Sequence, residues 1–98
     1  MLKSFMQMRR DLQVGVIVKT IVNNIKPERE GEVRKISRVQ TNAIAFKNPL
    51  NNQESWLWFG KASNYEYDGK TFKVFDDNKE LLFEYEIIGE IGNGTTNY

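Results

Sequence analysis

The sequence predicts a mostly-β domain, a small antiparallel barrel of six or seven strands with a short N-terminal helix or arm. Three observations predict it. Short apolar runs with period-2 alternation recur at regular spacing, Asn-, Pro- and Gly-containing turns punctuate them, and an Asp-Gly pair joins two of them as a hairpin. With 98 residues, 40% of them hydrophobic, the chain fits one domain able to bury a core without a metal or disulfides.

Residues 3–13 read as a short helix or ordered arm, with Leu2, Phe5, Met6 and Met8 loosely on one helical face. Gln13 to Val22 reads as a strand. Val14, Val16, Val18, Thr20 and Val22 share one face, and Gln13, Gly15 and Lys19 the other. Asn23 to Glu30 is a loop, because Pro27 cannot donate to a ladder. Gly31 to Val39 is a second strand in which Val33, Ile36 and Val39 are spaced by three, so a bulge is expected near Lys35. Thr41 to Lys47 is a third strand, leaving through a turn at Asn48-Pro49. Ser55 to Phe59 (SWLWF) is a fourth, apolar on both faces. Tyr65–Tyr67 and Thr71–Phe75 flank Asp68-Gly69, and Leu81 to Ile88 is the last strand. The predicted division is 1–12 helix or arm, 13–88 barrel domain and 89–98 flexible tail.

The run Gly31-Glu32-Val33-Arg34-Lys35-Ile36 resembles the Gly-x-Val-x-x-Ile core of the KOW motif. Val14 to Val18 is similar to the first strand of that family and Ala43 to Phe46 to its third. The resemblance spans about residues 13 to 60 and implies a Src-homology-3-like small barrel. The loop at 23–30 departs from the pattern, lacking the glycines such loops carry. The heavy use of Asn, Lys and Ile in a short chain also looks like the small accessory proteins of bacteriophages and other mobile elements, which would act on a bacterial protein.

Function is bounded by what is missing. Without cysteine there is no disulfide, thiolate ligand or cysteine nucleophile, and without histidine the commonest general base and metal ligand is gone. Glu84 and Glu86, two apart on one strand, are the nearest thing to an acid–base pair, yet they alternate with Phe83, Tyr85 and Ile87 as on any solvent-facing strand. Asp76, Asp77, Asn78 and Glu80 crowd one turn without the spacing of a calcium loop. The expectation is therefore no enzyme, no cofactor and no metal. No signal peptide or apolar run of about 20 residues is present, so a soluble, cytoplasmic protein without membrane contact is expected.

Binding is the remaining class. Trp56 and Trp58 lie on the same side of their strand, which makes them, with Tyr65 and Tyr67, the predicted partner-binding residues; Phe5 and Met8 would form an arm. The alternative is nucleic-acid binding through Arg29, Arg34, Lys35, Arg38 and Lys61, with bases stacked on exposed indoles. Residues 1–47 carry ten basic and four acidic side chains and residues 48–98 four and nine, so a net charge of +1 hides a basic and an acidic half. The plainer accounts are core packing for the aromatics and ion pairing for the charges. The leading expectation is a non-enzymatic protein-interaction module with a protein partner; nucleic-acid binding is the alternative, and homo-oligomerisation through Leu57 and Phe59 a variant.

Overall fold

The computed structural model describes residues 2 to 90. About half the chain is strand, and seven antiparallel strands form one sheet. They are β1 (Val16–Asn23), β2 (Val33–Gln40), β3 (Ala43–Lys47), β4 (Glu54–Trp58), β5 (Tyr65–Tyr67), β6 (Thr71–Phe75) and β7 (Leu81–Glu90), after a helix α1 (Phe5–Asp11). The sheet order is β4-β3-β2-β1-β7-β6-β5. It is two meanders, β1 to β4 and β5 to β7, joined by the pairing of β1 with β7. That pairing sets Lys19 opposite Glu86, bringing the basic and acidic halves together.

Among the described residues the sheet is not closed into the predicted barrel, because β4 and β5 are its two edges and do not pair. The sheet curves nonetheless. Phe46 on β3 meets Tyr85 on β7, ring centroids 5.3 Å apart, across one core built from both meanders. At one end the edges nearly meet, where Phe59 lies 5.7 Å from Tyr65 and the Gly60 N–H donates to the Tyr65 hydroxyl (2.7 Å).

The helix caps that end. Ser4 Oγ accepts from the Gln7 N–H (3.0 Å), a Ser N-cap that satisfies one of the first-turn donors. Met8 and Leu12 are buried and Phe5 packs against Phe59 and Tyr65. Arg9 latches the helix down, donating to the carbonyls of Gln40 (3.1 Å) and Thr41 (2.7 Å) with its guanidinium over Phe59 (4.3 Å). The predicted arm of Phe5 and Met8 is thus folded onto the domain.

Register shifts in β1 and β2 reset the strand faces. In β2 the register with β3 slips between Ile36 and Arg38, so Ser37 is the extra residue. Ile36 and Val39 then both face the core, which explains their spacing of three. The bulge was expected near Lys35 and falls two residues later. In β1 the register with β7 slips between Thr20 and Val22, so Val16, Val18, Thr20 and then Asn23 are buried. Val22 is turned off the face predicted for it, and Val14, ahead of the strand, is exposed.

The Asp68-Gly69 turn forms as expected. Asp68 Oδ1 accepts from the N–H groups of Lys70 (2.9 Å) and Thr71 (2.7 Å), and Gly69 takes φ +97°, a conformation open to glycine and costly for other residues. Donation from the Thr71 and Lys70 N–H groups holds the Asp68 carboxyl below its usual 3.8. The predicted tail overlaps β7 at Gly89 and Glu90, and residues 91–98 lie outside the described residues. Among the described residues no helix is long and apolar enough to cross a membrane.

Candidate functional site

The SWLWF segment has an apolar residue on each face, and tertiary packing chooses between them. Leu57 points inward and is buried, while Trp56 is 36% and Trp58 65% exposed. The indoles stack on one another, centroids 5.9 Å apart and 28° between planes. They stand opposite Ala45 and Ala43 of β3, whose small side chains leave room for large rings to lie over the sheet, and both alanines are fully buried.

The same two residues border the open edge. Phe59 N–H donates to the Asn42 carbonyl (2.8 Å) and Asn48 N–H to the Gln53 carbonyl (2.9 Å). Bonded pairs alternate along an antiparallel ladder, so Ser55 and Leu57 bond to β3, and Glu54, Trp56 and Trp58 turn their N–H and C=O groups outward. β4 is a terminal strand, so those groups face no further strand among the described residues.

The bulge at Ser37 divides the predicted basic cluster. Lys35 and Arg38 face outward, opposite Lys47 and Ala45, on the side that carries the indoles. Arg38 remains well exposed and pairs with Glu54 (3.3 Å), which also accepts from Ser37 Oγ (2.7 Å). Arg34 turns inward instead. Its side chain is only 9% exposed and joins Glu32 Oε1 through Nη2 (2.5 Å) and Nε (3.1 Å), and Ser55 Oγ through Nη1. It therefore ties β2 to β4 across the concave face. Arg29 stands on the β1–β2 loop, and Lys61, after β4, faces Asp77 at 4.0 Å. The five cations predicted to act together are distributed over three places.

Of the predicted aromatic binders, Tyr65 is half-buried against Phe5 and Phe59. Tyr67 is a correction. At 2% exposure it is a core residue, its hydroxyl donating to Asp11 Oδ2 (2.5 Å). Its ring offers a partner no surface, because α1 covers the face that the strand alone would expose. Glu84 and Glu86 point outward beside lysines, Glu86 pairing with Lys70 (3.2 Å) and Glu84 standing opposite Lys73. The acidic turn is closed by Asp76 Oδ1, which accepts from the N–H groups of Asn78 (2.8 Å) and Glu80 (2.9 Å).

A second feature has only a partial signal in the sequence. Where the concave face is open, a cavity of about 200 Å³ lies between β1, β2, β4, β7 and the β1–β2 loop. Phe46, Leu57, Phe83 and Tyr85 supply an apolar floor, and Lys26, Arg29, Arg34 and Glu32 its charged rim. Glu32 and Arg34, two apart, hint at a paired inward face; Tyr85 sits in an alternating strand and gives no hint. Burial pushes the Tyr85 phenol up to about 12, against the pull of Arg34 and Arg29. The sign follows directly. The unfolded chain ionises from pH 10, the native state only near 12, so stability falls as pH rises through that window. The expected loss is on the order of 2 kcal/mol by the top of it. Denaturation at pH 9 and pH 11.5 on the native chain and on Tyr85→Phe checks this; an equal alkaline loss in both would refute it.

The chain matches no protein-family model, no curated protein and no solved structure. No match therefore accompanies the KOW-type resemblance, and what stands is a small all-antiparallel β-sheet domain.

Proposed function

We propose that the chain is a non-enzymatic protein-interaction module that takes up an extended segment of its partner along β4. One observation carries the reading: Trp56 and Trp58 combine outward indoles with outward backbone N–H and C=O groups on a terminal strand. Strand addition draws its affinity from such backbone groups and its specificity from alternate side chains, and tryptophan is among the residues that dominate interface energies. Lys35, Arg38 and Lys47 on the same face favour a segment that alternates apolar and acidic residues. The absence of histidine and cysteine supports the non-enzymatic part.

A second reading, single-stranded nucleic acid, is favoured by the same three cations standing beside a pair of indoles, since bases stack on exposed aromatics within a basic groove. The two separate by ionic strength and by hydrogen exchange. The complex captured from bacterial lysate should survive nuclease and moderate salt, and the amides of Trp56 and Trp58 should become protected in it while those of Ser55 and Leu57, already bonded, change little. Nuclease sensitivity with a steep salt dependence would transfer the assignment to nucleic acid. A nuclease-resistant complex with no new protection on β4 would exclude strand addition.

A further inference from the structure

The cavity on the concave face presents two polar side chains, Tyr85 and Arg34, with hydrogen-bonding capacity left for a ligand. Tyr85 is 7% exposed, its ring held by Phe72 (5.0 Å), Phe46 (5.3 Å) and Phe83 (5.9 Å). Its hydroxyl makes no hydrogen bond to any described residue and is open to the solvent of the cavity. An acceptor on a ligand would take the place of water on that hydroxyl. Arg34 is the second group. Glu32 and Ser55 engage three of its five N–H groups, leaving two.

The charge of the site points the same way. Lys26, Arg29 and Arg34 line it against one carboxylate, Glu32. Arg34 and Arg29 are near enough to the Tyr85 hydroxyl to act on it electrostatically. Inside a partly enclosed, apolar cavity such an excess attracts an anion more strongly than it would in open water. Ile25, Phe46, Leu57 and Phe83 add hydrocarbon to the lining, and Thr20, Asn23 and Ser55 neutral polar groups. The volume of about 200 Å³ is below the roughly 300–1,000 Å³ of cavities for drug-sized ligands, which limits an occupant to about one ring and a headgroup.

We infer that this cavity binds a small organic carboxylate, its head accepting from the Tyr85 hydroxyl and the Arg34 and Arg29 guanidiniums and its apolar body resting on Phe46 and Phe83. Guanidinium forks match a carboxylate in geometry. A phosphate dianion suits the site less, since it would meet Glu32 and bring no apolar body to the floor. The carboxylate can belong to a free acid or to the C-terminal residue of a peptide. The cavity shares Trp56 with the β4 edge but not Trp58, so Trp58→Ala, which should leave benzoate binding unchanged, separates the two readings.

Benzoate and N-acetylphenylalanine, each with its uncharged amide as control, are titrated into the full chain and followed by two-dimensional amide NMR. Both acids should saturably shift the amides of Thr20, Asn23, Arg34 and Ser55, with the amides of these acids about tenfold weaker or worse. Tyr85→Phe and Arg29→Gln should each weaken benzoate about tenfold while the remaining spectrum stays native. Arg29 stands on a loop, so its replacement remains informative even where a change at Arg34 unfolds the sheet. Tighter binding of N-acetylphenylalanine assigns the site to a chain terminus, and tighter binding of benzoate to a free acid. Equal shifts from acid and amide, no shift from either acid, or inorganic phosphate binding more tightly than both would overturn the inference.

Discussion

Replacing Phe72 by Ala is expected to remove about 3–5 kcal/mol of stability, the range for a fully buried aromatic truncated in a core that collapses only partly. Phe72 has no exposed surface and stacks on Tyr85. It sits on β6, opposite Tyr85 of β7 on one side and Tyr67 of β5 on the other, so its ring is the point where the second meander packs on itself. A domain near 98 residues has on the order of 5–15 kcal/mol in total, so the variant would keep a fraction of it or none. Urea denaturation should show a much lower midpoint at an unchanged slope, and the melting temperature should fall by about 12 °C or more. A cost under about 1 kcal/mol would mean that Phe72 is not the core residue described.

Replacing Trp58 by Ala should do the opposite. The residue is larger than Phe72, yet at 65% exposure it contributes little to the fold, and the stability cost should stay below about 1 kcal/mol. Partner affinity should fall by at least about 2 kcal/mol, roughly thirtyfold, as expected of an aromatic anchor. Trp56 is half as exposed and stacks beneath it, so its replacement would mix a binding effect with loss of cover over Ala45. Calorimetry or surface binding with the recovered partner, alongside a melting curve, reads both quantities for Trp58→Ala. Undiminished affinity in a folded variant would remove the indole from the interface, and unfolding would return it to the core.

Much of the architecture is legible in the sequence. Every strand but β2 coincides with a segment of period-2 or continuous apolar character, and Asp68-Gly69 turns where Asp-Gly is expected to turn. The reason is that strand alternation and turn chemistry are local: a residue's neighbours two positions away and its own φ preference settle them. Even the bulge in β2 left a trace, since an apolar spacing of three cannot be kept on one face without an extra residue.

The candidate sites are not local, so the sequence shows less of them. SWLWF is apolar on both sides, so only the packing of Leu57 into the shared core releases the indoles to solvent. Tyr67 looked like a surface aromatic because nothing in its strand announces that α1 will lie over it. Arg34 and Arg38 looked like one basic patch, and a single residue, Ser37, sends one into the concave face and the other out beside Trp56. The pairing of β1 with β7, about seventy residues apart in sequence, creates the cavity and is specified by no segment alone. The sequence by itself determined the elements, their order and the chemistry on hand, because those follow from near neighbours. The tertiary structure decided which face of each element meets water, because that depends on burying both meanders in one core.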